Sequence, residues 1–150
     1  MNKEKLRLLA KDLTKEYPRS PRETLAGYLL AARLLDKCRA VLNGTQGEYI
    51  YDCPLDRRFF EFTGIDSNQL KKFVASGATD AEVAAWITQH VKPRARIEIV
   101  KWNNHLRDMR VSELPDQVQE FLDDYIPKFV PKNRPIYSWL DVFDLEEERL

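Results

Sequence analysis

Ser20-Pro21-Arg22-Glu23-Thr24-Leu25-Ala26-Gly27-Tyr28-Leu29-Leu30, continuing Ala31-Ala32-Arg33-Leu34-Leu35-Asp36-Lys37-Cys38-Arg39-Ala40-Val41-Leu42-Asn43, is the stretch on which the fold turns. Its first four residues read as a capping box with proline at the first helical position. Asn43-Gly44 supplies a left-handed stop. A helix over 20–43 spans on the order of 33 Å, enough to cross a domain of this size. At about 100° per residue, Leu25, Leu29, Leu30, Leu34, Leu35, Cys38, Val41 and Leu42 cover most of its circumference. A helix apolar nearly all round is a buried one, and other helices pack around it.

That buried helix carries charge. Arg33, Asp36, Lys37 and Ala40 fall on one narrow stripe at i, i+3, i+4 and i+7, and Arg39 lies off it. Asp36 is three residues from both Arg33 and Arg39, within reach of either. Two readings follow. In the first the cluster is a structural ion-pair knot, because buried charges are normally paired. In the second it is a ligand pocket for a small anion, or an enzyme site, built on a rigid helix. There Tyr49, Tyr51 and Asp56 form a polar wall facing Arg33, Asp36 and Arg39, and tyrosine or carboxylate moves the proton. Asp56 also has a plainer role. It sits in the first turn after Pro54, where a carboxylate complements a helix N-terminus.

Outward from this stretch the chain reads as further helices. Leu6, Leu9, Ala10 and Leu13 recur at helical spacing, so 3–11 is a short amphipathic lead-in, interrupted by Pro18 and Pro21. Residues 44–47 are a turn, and 48–52 alternate with period two as a short extended segment. Pro54 starts a helix over 55–62 that Gly64 ends. Asp66 or Ser67 caps the next, with Leu70, Phe73 and Val74 inward and Gly77 as its stop. Thr79-Asp80-Ala81-Glu82 is a second capping box, launching a helix to Val91. Residues 94–109 turn Ala95, Ile99, Trp102, Leu106 and Met109 to one side, and 115–125 do the same with Val118, Phe121, Leu122 and Tyr125. Pro127, Pro131 and Pro135 make an extended strap ending at Ser138, followed by a last helix over 139–148.

The expected fold is therefore all-α: a compact single-domain multi-helix bundle of six or seven helices, residues 1–150, around a long central helix. The strap and C-terminal helix, 127–150, dock on the body or on a partner subunit, with Trp139, Leu140 and Phe143 as the interface anchors.

Bulk composition narrows the function classes. The chain has 24 Lys+Arg against 24 Asp+Glu, so no net field draws it to a polyanion, and nucleic acid is not an expected partner. No apolar run approaches the ~20 residues of a membrane span, and the first residues lack a signal-peptide core. The expected location is the cytoplasm, where Cys38 and Cys53 stay reduced. His90 and His105 have no carboxylate or thiolate at ligand spacing, so no metal site and no cofactor are expected. His90 is read as packed on its helix and capping carbonyls, His105 as facing water. Walker, GxGxxG, GxSxG and HExxH patterns are absent.

Several short stretches carry a resemblance. They are Asp12-Leu13-Thr14, Pro18 to Glu23, Ala32 to Ala40, Gly44 with Gly47-Glu48-Tyr49, Cys53-Pro54-Leu55-Asp56 with Phe59 and Phe62, and Trp139-Leu140-Asp141 with Asp144. Together they resemble a small bacterial family catalogued as a domain of unknown function, number five thousand and sixty-nine. The resemblance covers nearly the whole chain and implies a bacterial cytosolic stand-alone domain. It implies no activity, ligand or catalytic residue. The leading expectation is a helical interaction or regulatory module that self-associates as a homodimer. The alternative is an enzyme or small-anion-binding protein using the charged pocket on the long helix.

Overall fold

A computed structural model describes residues 1–150. The chain is all-helical, with eight α-helices, one 3-10 turn and no strand. It forms two compact units, Met1–Ala95 and Arg96–Leu150. No helix is long and apolar enough to cross a membrane.

The first unit holds α1 (Lys3–Leu9), α2 (Ala31–Asn43), α3 (Pro54–Thr63), α4 (Ser67–Val74) and α5 (Asp80–His90). Its centre is α2, in which every residue from Ala31 to Ala40 is buried. Leu6 of α1, Phe59 and Phe60 of α3, Leu70 and Val74 of α4, and Val83 and Ile87 of α5 are buried core residues of the same unit. Three predicted boundaries hold for physical reasons visible in the bonds. Gly64 closes α3 in the left-handed conformation. The Asp66 carboxylate accepts from the N–H groups of Asn68 and Gln69 at the start of α4. Thr79 and Glu82 exchange their capping bonds at 3.0 and 3.2 Å. Gly77, at φ +84°, lies against α1, where an added Cβ would stand 2.5 Å from the Lys5 Cβ. No side chain fits there.

The central helix is shorter than the sequence predicts. It begins at Ala31, not Ser20, and its 13 residues span about 20 Å. The capping signal at Ser20 yields one turn only: the Ser20 hydroxyl and carbonyl accept from Arg22 and Glu23. Such bonds stabilise turns as readily as helix starts. The chain then reverses at Ala26-Gly27, both at positive φ, while Leu25 and Tyr28 exchange backbone bonds at 3.1 Å. The Leu30 N–H returns to the Pro21 carbonyl at 3.0 Å, closing the loop. Tyr28 buries its ring edge-on to Phe59 and Phe62, so tertiary packing claims the apolar residues that helical spacing had assigned to a helix face. The count of helices is also corrected, to eight. Residues 48–52 are turn and irregular backbone, not an extended strand, with Asp52 at φ 65°.

The second unit holds α6 (Arg96–Asp108), the 3-10 turn Val111–Glu113, α7 (Asp116–Phe129) and α8 (Trp139–Glu146). Leu106, Met109, Leu114, Leu122, Val142 and Leu145 are its buried apolar residues. Helix α7 runs through Pro127 to Phe129, so the strap begins four residues later than predicted. Pro127 sits in the last turn, where its missing N–H removes one bond near an end that already frays. Asp141 caps α8 by accepting from the N–H groups of Tyr137 and Ser138.

Candidate functional site

The charges of α2 find their partners in loops and helices distant in sequence, within the first unit. Asp36 accepts from the Arg19 backbone N–H at 2.8 Å and from Arg19 Nε and Nη2 at 3.1 and 2.9 Å. Lys11 Nζ stands 3.5 Å away. The second arm of Arg19 reaches Asp80 at 2.8 Å, and Arg39 reaches the other oxygen of Asp80 at 2.8 Å. Arg39 also donates to the Ala78 carbonyl at 2.9 Å, while its Nε is buried without an acceptor. Lys11, Asp36, Arg19, Asp80 and Arg39 thus form one chain of alternating charge. Arg33 is tied in by a 3.3 Å bond to the Arg19 carbonyl, and its guanidinium lies 5.6 Å from the centre of the Tyr49 ring.

A second network lies around Lys37. Its ammonium contacts Asp56 at 2.8 and 2.9 Å, the Ile50 carbonyl at 3.0 Å and Cys53 Sγ at 3.3 Å. Asp56, 1% exposed, also accepts from the N–H groups of Asp52 and Cys53. It is therefore both the helix-start carboxylate of α3 and half of a buried ion pair. Tyr51 turns away from it, donating its hydroxyl to the Ser67 carbonyl at 2.7 Å and setting its ring edge-on to Phe60.

Two of these groups are far from proton transfer at neutral pH. Burial raises the Tyr51 phenol well above its ordinary range. Burial also pushes the Cys38 thiol up to about 12. Asp80 behaves oppositely. Partial burial acts to raise its carboxyl, but the bonds from Arg39 and Arg19 outweigh it and hold the pKa below the usual aspartate value. A depressed folded-state pKa contributes stability that is present above about pH 4 and lost as pH falls through the folded value. Acid unfolding followed by circular dichroism should therefore show a smaller loss of Tm between about pH 5 and pH 3 in Asp80→Asn than in the wild type.

The six candidate residues divide between two networks. Arg33, Asp36, Arg39 and Tyr49 belong with Arg19 and Asp80, Asp56 belongs with Lys37, and Tyr51 bonds Ser67. Asp36 pairs with Arg19, not with Arg33 or Arg39. None of the six lines the cavity of about 540 Å³ that opens between α1 and the end of α2, beside Met1, Glu4, Arg7 and Asn43. Arg19, Asp80 and Lys37 are the participants the sequence reading left out. Lys37 was visible on the stripe with Asp36, but Arg19 and Asp80 are 17 and 61 residues removed from their partners and leave no local signal.

The expected interface anchors behave differently from one another. Trp139 and Leu140 are buried within the single chain, the former only 6% exposed, and Phe143 is half-buried. Exposed apolar surface of the second unit lies instead on α7, where Phe121, Tyr125 and Phe129 stack in a row with centroids 5.3 and 4.5 Å apart. Phe121 is 61% and Phe129 53% exposed. His90 is exposed, stacked 3.9 Å over Trp86, with its Nδ1 against the Trp86 carbonyl. No group of three or more His, Cys, Asp or Glu side chains is placed to hold a metal ion.

The model of a family described as "Domain of unknown function (DUF5069)" matches residues 15–149, and the chain belongs to that family. No curated protein matches the chain.

Proposed function

We propose that this DUF5069 member works by binding, as a small cytoplasmic helical interaction module that self-associates into a homodimer. The observation that supports it is the aromatic row of α7. Phe121 and Phe129 each expose more than half their surface although helical spacing would let them join a core. Large exposed aromatic patches mark interaction sites, and aromatic residues are enriched where interfaces draw their energy. Because Trp139 and Leu140 are already buried in their own chain, the row on α7 takes the place of the C-terminal anchors in this reading.

The anion-binding alternative has less behind it. The guanidinium of Arg19 and the ammonium of Lys37 already face carboxylates of the same chain. An incoming anion must displace Asp36 or Asp56, and each is buried and held by further backbone donors. Light scattering on Phe121→Asp/Phe129→Asp tests the proposal. The mass should fall from twice 17.6 kDa to 17.6 kDa while the helical circular dichroism stays unchanged. An undiminished dimer in that variant overturns it.

A further inference from the structure

The aromatic row is too small to make an interface alone. Two phenylalanines of about 150–250 Å² each, little more than half exposed, offer roughly 200 Å². A stable interface takes about 800 Å² from each partner. A second surface must contribute, and it must suit the charge around the row. The exposed residues of α7 include Asp116, Glu120, Asp123 and Asp124 against a single lysine, Lys128. Such a face does not pair readily with its own copy, because like charges would meet across the two-fold axis.

Helix α6 of the same unit carries the complement. Ile97, 57% exposed, and Val100 form an aliphatic patch with Lys101 and Asn104 at i, i+3, i+4 and i+7. Arg96 and Arg107 flank it on the outer surface. Aliphatic side chains here can cover exposed rings there, and lysine and arginine can meet the carboxylates of α7.

We propose that the occupant of the α7 face is α6 of a second copy of this chain, and the reverse, in a two-fold arrangement with α6 against α7′ and α7 against α6′. An isologous interface requires such reciprocity, since each contact occurs twice. The pairing rests on the self-association reading and adds to it the identity of the partner surface. Charge complementarity sets register and excludes the α7–α7′ alternative.

The test uses two full-length variants and the wild type, measured by light scattering and native mass spectrometry. One variant carries Lys101→Glu/Arg107→Glu and the other Glu120→Lys/Asp124→Lys. All four positions are exposed, so thermal unfolding of each should match the wild type. Each variant alone sets like charges against like in both seams and should lose the dimer, giving 17.6 kDa. Mixed, they should restore a two-chain species containing one of each, because both seams then pair opposite charges. If the wild type is a dimer and Lys101→Glu/Arg107→Glu remains one, α6 is outside the interface and the pairing is overturned. If single variants dissociate and the mixture stays monomeric, reciprocity is overturned. A monomeric wild type defeats the self-association reading itself and is separable from both.

Discussion

Replacing Lys37 by methionine is expected to cost about 3–5 kcal/mol, the scale for breaking one side of a buried ion pair. The ammonium has three protons, and the carboxylate of Asp56, the Ile50 carbonyl and the Cys53 sulfur receive them. Methionine matches the length of the stem but leaves the Asp56 carboxylate buried with only two backbone donors. Urea unfolding should show a lower midpoint at unchanged slope. Adding Asp56→Leu removes the orphaned charge, and the double variant should recover much of the loss. Recovery stays incomplete because Asp56 also caps the start of α3, a role worth about 0.5–2 kcal/mol. A double variant no more stable than Lys37→Met would mean that the pair's charge is not what the fold depends on.

The second large effect is an asymmetry across the other network. Asp36→Leu leaves the Arg19 guanidinium, its backbone N–H and the Lys11 ammonium without their common acceptor, and should cost about 3 kcal/mol. Arg39→Met removes a residue whose partner is far less dependent on it. The Asp80 side chain is nearly half exposed, so water replaces the lost bond, and the unpartnered Nε of Arg39 disappears with the substitution. That change should fall within about 1 kcal/mol of neutral. Equal losses for the two variants, again by urea unfolding, would contradict the geometry. The sequence spacing suggested testing Asp36 and Arg39 as each other's partners. The structure instead makes Asp36 the partner of Arg19, and Asp80 the partner of Arg39.

Legibility followed the range of the interactions involved. The starts of α4 and α5 and the end of α3 rest on bonds within four residues, and Asp66, Thr79 with Glu82, and Gly64 announced them. The buried character of α2 was readable from its apolar circumference, which needs no knowledge of its neighbours. Its start was not. Ser20-Pro21-Arg22-Glu23 satisfies a local rule that a turn also satisfies, and the burial of Tyr28 against Phe59 and Phe62 decided between them. Helix α7 failed in the opposite sense: Pro127 suggested an end, but one missing bond in a last turn does not stop a helix. The candidate site mixes both cases. Charge inside α2 was plain in one dimension, whereas the residues that neutralise it are supplied by a proline-bounded loop and by the cap of α5.

Phe121 shows where periodicity misleads about burial. Its spacing with Leu122 and Tyr125 placed it on a core-facing stripe, yet only Leu122 of that stripe is buried. A helix with an apolar face wider than its own unit covers has surface left for a partner. That surplus is the physical basis of the self-association account. Sedimentation equilibrium of the unmodified full-length chain over a wide concentration range tests it most directly. The account predicts a mass rising to twice 17.6 kDa with concentration. A mass of 17.6 kDa at every concentration would contradict it.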